Sequence, residues 1–174
     1  DPSQYFDTKL YTGNGGTQTV SNLSFSPDFL WLKCRNTAYD HRVFDTIRGY
    51  DKRLGTNITD QEYSDTSLTS INSDGFSLSS NTTTNGSGTT QVAWAWDAGS
   101  STVTNTDGSI SAQVRANPSA GFSCVSYTPT GSNPTVGHGL NAKPALILLK
   151  SRSATGDWLV MHESIGVDHF LKLN

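Results

Sequence analysis

Two groups of charged and aromatic side chains follow apolar runs in this chain. The first is Lys33, Arg35, Asp40, His41, Asp45, Arg48 and Gly49, and the second is Lys150, Arg152, Asp157, Trp158, His162 and Gly166. Such residues could hold a sugar or a carboxylate ligand, with the guanidinium as a planar fork of donors and the imidazole or indole as a stacking face. The candidate ligand-binding residues are Tyr39, His41, Arg48, Tyr50 and Trp158. A plainer account pairs Arg35 with Asp40 across the turn between two strands, and Arg152 with Asp157 likewise. Keeping Arg and Asp while exchanging His41 for Trp158 and Asp45 for His162 fits a scaffold with variable decoration.

Other chemistry finds less support. His138, His162 and His169 have neither the spacing nor the Cys or Glu partners of a metal signature. His138 lies in Val136-Gly137-His138-Gly139-Leu140, where a tight turn with the imidazole bonded to backbone is expected. The stretch Thr104–Ser109 has the oxygen-rich look of a calcium loop but lacks the first Asp and the downstream Glu, so a hairpin turn explains it better. Glu62 and Glu163 are the only glutamates, and no Gly-x-Ser-x-Gly elbow is present. No catalytic residue, metal or cofactor is expected, and the Asn-x-Ser/Thr sequences are what chance gives in so Asn- and Thr-rich a chain.

The elements that would position these groups are strands. Phe29-Leu30-Trp31-Leu32-Lys33 alternates between two faces, its counterpart Ala145–Lys150 is apolar on both, and each reads as a central strand. Val92-Ala93-Trp94-Ala95-Trp96 alternates large with small, so the large side chains are expected to fill a core while the alanines admit another layer. Val103–Asn105, an Asp107-Gly108 turn and Ile110–Val114 read as one hairpin. At most a short helical turn is expected near Asp60–Asp65, and Ser79–Thr90 reads as a mobile surface loop. Many short strands with Gly-rich turns predict an all-β antiparallel sandwich.

The chain also begins to repeat itself. Phe6–Val20 aligns with Phe122–Val136 at an offset of 122 − 6 = 116, and Pro27–Asn57 aligns with Pro144–Asn174 at 144 − 27 = 117. A fixed period means one structural module used more than once. We expect residues 1–121 to be a first sandwich repeat and 122–174 an incomplete second one, docked on or continuous with the first, with Asn117–Gly121 at the boundary. An opening of Asp1-Pro2-Ser3 suggests a processed product or part of something longer.

Only 34% of residues are hydrophobic and 16% charged, yet four Trp, six Tyr and seven Phe supply enough apolar area to offset ordering entropy. A net charge of −3 without basic clusters argues against nucleic acid, and no apolar run is long enough to insert in a membrane. Cys34 and Cys124 do not occupy equivalent repeat positions, so two free thiols are expected rather than a bridge.

Tyr11–Gly15, Phe25–Lys33, Val43–Gly49, Phe76 after Asn72–Gly75, Val92–Trp96, Asn105–Ser111 and Val136–Leu140 together resemble a tandem-repeat module of marine bacteriophage virion structural proteins. The resemblance covers essentially the whole chain in one order. That family is similar to the concanavalin-like lectin and glucanase sandwiches, which implies a jelly-roll-like module located on the virion. The function it implies is non-enzymatic: a tail-fibre or tail-associated module attaching to a host-surface glycan, with a head decoration or other assembly protein as the alternative. The implied partners are other virion proteins, copies of the chain itself and, for the attachment role, a host glycan.

Overall fold

Alternation in Phe29–Lys33 buries one face completely: Leu30 is 0% and Leu32 1% exposed, while Phe29, Trp31 and Lys33 on the other face are half-buried. The computed structural model describes residues 1–174 and is all-β. Its strands in chain order are β1 (Phe6–Thr12), β2 (Gln18–Val20), β3 (Phe29–Cys34), β4 (Arg42–Asp45), β5 (Gly49–Leu54), β6 (Tyr63–Ser64), β7 (Leu68–Asn72) and β8 (Gly75–Leu78). These are followed by β9 (Thr90–Trp96), β10 (Thr102–Asn105), β11 (Ala112–Asn117), β12 (Phe122–Tyr127), β13 (Leu146–Leu149), β14 (Leu159–His162) and β15 (Leu171–Lys172). A single four-residue α-helix, α1 (Thr82–Asn85), and two 3₁₀ turns complete the chain.

A six-stranded sheet, ordered β1-β9-β3-β4-β5-β6, faces a three-stranded sheet, β2-β8-β7, and two further three-stranded sheets are β10-β11-β12 and β13-β14-β15. All of their ladders are antiparallel. Between the first two sheets lies one core of Val20, Leu23, Phe25, Leu30, Leu32, Phe44, Leu68, Phe76, Leu78, Ala93 and Ala95. Burying each Leu or Phe there contributes roughly 1.5–3 kcal/mol. Half of the β9 expectation holds: Ala93 and Ala95 face this main core, where their size brings the second sheet close, but Trp94 and Trp96 face away from it instead of filling it.

Three local expectations give way. The Ser79–Thr90 run is an ordered plug: α1 forms there, with Asn85 0% and Thr84 1% exposed. Asn85 accepts from the Asn14 N–H and donates to the Gly16 and Ser79 carbonyls, so a polar side chain replaces the backbone ladder that the loop lacks. The Asp60–Asp65 stretch carries β6 instead of a helical turn. The β10–β11 hairpin forms, but β11 starts at Ala112, and Ile110 is drawn off into a parallel bridge with Val136. Cys34 and Cys124 are free, and His138 Nδ1 accepts from the Leu140 N–H at 3.2 Å within its turn.

The repeat recurs as pairing. In the first copy Phe29 pairs with Asp45, Leu30 with Phe44, Trp31 with Val43 and Leu32 with Arg42. Adding 117 to each number gives Leu146 with His162, Ile147 with Met161, Leu148 with Val160 and Leu149 with Leu159, the β13–β14 register. Val43 with Leu54 becomes Val160 with Leu171, the β14–β15 register. Backbone at positive φ recurs as well, at Gly15 and Gly131, Asn22 and Gly139, and Gly49 and Gly166. The neighbourhoods differ, however. β3 is hydrogen-bonded on both edges, whereas β13 has β14 alone and is an edge strand, not a central one. The Asn117–Gly121 segment is the turn of the β11–β12 hairpin, so one sheet runs across the 121/122 position.

Candidate functional site

The outer face of the six-stranded sheet carries Phe29, Trp31, Val43, Trp94 and Trp96, alternating with the core residues just described. The second copy lies against this face, and the seam between them gathers all four tryptophans and a network of buried charges. At one end, Phe122 of β12 stacks on Trp96 at 5.6 Å with 18° between the planes and meets Phe29 edge-on at 5.7 Å. At the other end, the Trp158 indole is 6% exposed among Val43 and Leu54, with Phe29 and Trp31 packed alongside. Its Nε1–H donates to the Gly55 carbonyl at 2.6 Å. Lys150 Nζ donates to the Thr59 carbonyl at 3.0 Å and the Gly156 carbonyl at 2.8 Å, pinning the same loop.

The same seam holds a chain of ion pairs. Arg48 donates from Nε to Asp45, from Nη1 to Glu62 at 3.0 Å and from Nη2 to the Val43 carbonyl at 3.1 Å. Glu62 then receives Arg152 of the second copy as a two-bond fork, Nε to Oε2 at 3.0 Å and Nη2 to Oε1 at 2.9 Å. Arg152 Nη1 reaches on to Ser126 of β12 at 3.1 Å. Forked, charge-assisted bonds of this kind are stronger than neutral ones and orient both partners.

The pKa directions follow this geometry. Burial pushes the Glu62 carboxyl up, but the hydrogen bonds and charges of Arg152 and Arg48 outweigh it and hold the group below the usual glutamate range. Asp28, 4% exposed, accepts from the Ala98 N–H at 2.9 Å and the Thr46 hydroxyl at 2.8 Å, with Arg115 Nε 2.7 Å away. There burial prevails over these partners and raises the carboxyl. Burial likewise raises the Cys124 thiol, and Asp45 and Asp28 push it the same way, so Cys124 stays protonated and is a poor nucleophile.

A depressed carboxyl contributes stability that is present above its unfolded pKa and disappears as pH falls through the folded one. Glu62 therefore supports the fold at neutral pH and loses that contribution in the acid range below about pH 4. Asp28 has the opposite sign, since its raised carboxyl favours the folded state when protonated. Urea denaturation across pH should show a shallower acid limb in Glu62→Gln than in the unaltered chain. Parallel limbs would mean that the Arg152 fork contributes nothing.

The five ligand candidates do not converge on one surface. Arg48 is 7% exposed at its side chain and fully engaged in the seam. Tyr50 packs against the main core on the opposite side of the sheet, donating to the Pro27 carbonyl at 2.7 Å and sharing a 2.6 Å hydrogen bond with the Thr46 hydroxyl. Trp158 is the plug described above. His41 accepts the Trp31 indole N–H at Nδ1, 2.8 Å, and burial, with Lys33 nearby, lowers its pKa. Tyr39, 36% exposed, faces solvent. The turn-crossing pairs do not form: Asp40 accepts from Asn57, Asp157 pairs with Lys172, and Arg152 goes to Glu62. The Arg35 side chain makes no ion pair.

Glu62, Asp28, Arg115 and Phe122 are seam residues that the sequence patterns did not single out. One signal could have found Asp28: it and three other residues of this region stand at positions where the copies differ. Asp28 aligns with Ala145, His41 with Trp158, Asp45 with His162 and Arg48 with Ile165. A family model described as a domain of unknown function, DUF7483, matches residues 1–174. No curated protein and no solved structure matches the chain.

Proposed function

We propose that this chain, which belongs to the DUF7483 family, is a non-enzymatic structural protein of a bacteriophage virion whose task is to stack copies of its repeat into a rigid body. The observation that carries this reading is the seam. Two of the side chains that could have faced a ligand, Arg48 and Trp158, are engaged instead in holding one copy on the other, Arg48 through Glu62 and Arg152 and Trp158 through the Gly55 carbonyl. The virion location rests on the sequence resemblance given above. A cryo-EM map of particles produced by the phage that encodes this chain tests it. The expected result is density for paired sheets in fixed, symmetry-matched copy number, as assembly in particles requires. Purified particles lacking the protein would overturn the proposal.

A second reading, attachment to a host-surface glycan, is favoured by one observation: Tyr39 stands exposed beside His41 on a loop fastened by Lys33 Nζ, which donates to the Tyr39 carbonyl at 2.7 Å. Saturable binding of host polysaccharide by the chain, lost in Tyr39→Ala, would support attachment. A flat response up to millimolar saccharide would leave the assembly role alone.

A further inference from the structure

β13 is a strand whose second neighbour is missing while its first is in place. Four of its residues keep the β3–β4 register toward β14, as set out above, yet its other edge makes no ladder. Leu146 is 54%, Ile147 40% and Leu148 39% exposed, whereas their equivalents Phe29, Trp31 and Leu30 are half-buried or, for Leu30, 0% exposed. A bare apolar edge is a ready template for an added strand, with main-chain hydrogen bonds giving affinity and alternating side chains giving specificity.

The first copy shows what the added strand should be. There β9 occupies the equivalent edge, pairing Trp96 with Phe29, Ala95 with Leu30, Trp94 with Trp31 and Ala93 with Leu32. Carried to β13, this register places a bulky residue opposite Leu146 and Leu148 and a small one opposite Ile147 and Leu149. Those two residues, with Met161, stand where Leu30, Leu32 and Phe44 form the first core. Small residues are needed there because a second sheet closes over that face in the first copy.

We infer that the β13 edge is an acceptor for one antiparallel strand alternating small and bulky apolar residues as β9 does, supplied by a repeat segment lying outside residues 1–174. The donor is not the β9 of another molecule. That strand is hydrogen-bonded on both edges, to β1 and β3, and its alanines are 1% exposed. The acceptor shares with the proposed virion role only the repeat: failure to find the protein in particles would leave the acceptor standing, and failure of the acceptor would leave the particle location standing.

The test titrates the full chain with a synthetic peptide of the Thr90–Trp96 sequence, and with a control peptide in which the Ala and Trp positions are exchanged. A one-residue shift of alternation turns every side chain to the wrong face, so the control carries the same composition with the wrong pattern. The expected result is saturable one-to-one binding, with hydrogen exchange at the Leu146–Leu149 amides slowed at least about tenfold by the first peptide and little by the control. Three results would overturn the inference. One is no slowing by either peptide at millimolar concentration. Another is equal slowing by both. The third is protection that rises with protein concentration alone, which would assign the edge to self-association.

Discussion

Replacing Trp158 with alanine should destabilise the chain by about 3–5 kcal/mol, the range for removing a buried tryptophan, and should do so by loosening the seam before the first sandwich. The indole fills the space over Val43 and Leu54 and supplies the hydrogen bond to the Gly55 carbonyl, so the substitution removes packing and leaves a buried acceptor unpaired. None of the main-core residues touches it, since that core lies on the other face of the sheet. Hydrogen exchange should therefore rise across β13–β15 while β3, β8 and β9 keep their protection. A uniform loss over both copies would show that the seam and the main core unfold as one unit. An unchanged denaturation midpoint would show that Trp158 does not fasten the second copy.

Arg48→Ala should cost a similar amount, about 3–5 kcal/mol, for a different reason. The guanidinium is nearly buried between Asp45 and Glu62, whose side chains are 10% and 12% exposed. Removing it leaves two carboxylates close together with one cation, Arg152, still holding Glu62. Much of the loss is thus the cost of the carboxylates left behind, and a double variant, Arg48→Ala with Asp45→Ala, should recover part of it. Denaturation of the single and double variants measures this. If the double variant is less stable than the single by the full cost of the second change, Arg48 and Asp45 act independently and the ion-pair account fails.

Much of the first sandwich was readable from local pattern because local pattern is what its burial obeys. The alternation of Leu30 and Leu32 against Phe29 and Trp31 became the two faces of β3 without change, and the bulky-small run became β9. The repeat offset foretold the β13–β14 register residue by residue. Features set by distant partners were not readable. Glu62 and Arg152 lie 90 positions apart, and nothing near either announces the other. Asn85 looked like one more loop asparagine, yet three of its four side-chain hydrogen bonds depend on Asn14 and Gly16 arriving from a turn some 70 residues earlier. Asn117–Gly121 has the punctuating composition of a linker, and tight hairpins use the same residues. Arg48 and Tyr50 read as ligand groups because residue type alone does not reveal burial.

The two thiols divide the molecule into separately addressable compartments. Cys34 is 1% exposed inside the first sandwich, and Cys124 lies at the junction of the copies, kept protonated by its surroundings. An alkylating reagent reaches buried Cys34 only as fast as the structure around it opens, and reacts with half-buried Cys124 only as fast as its disfavoured thiolate forms, which parting of the copies would ease. The order in which they are modified is therefore a chemical clock for disassembly, with Cys124 timing the parting of neighbouring copies and Cys34 timing the collapse of a whole unit.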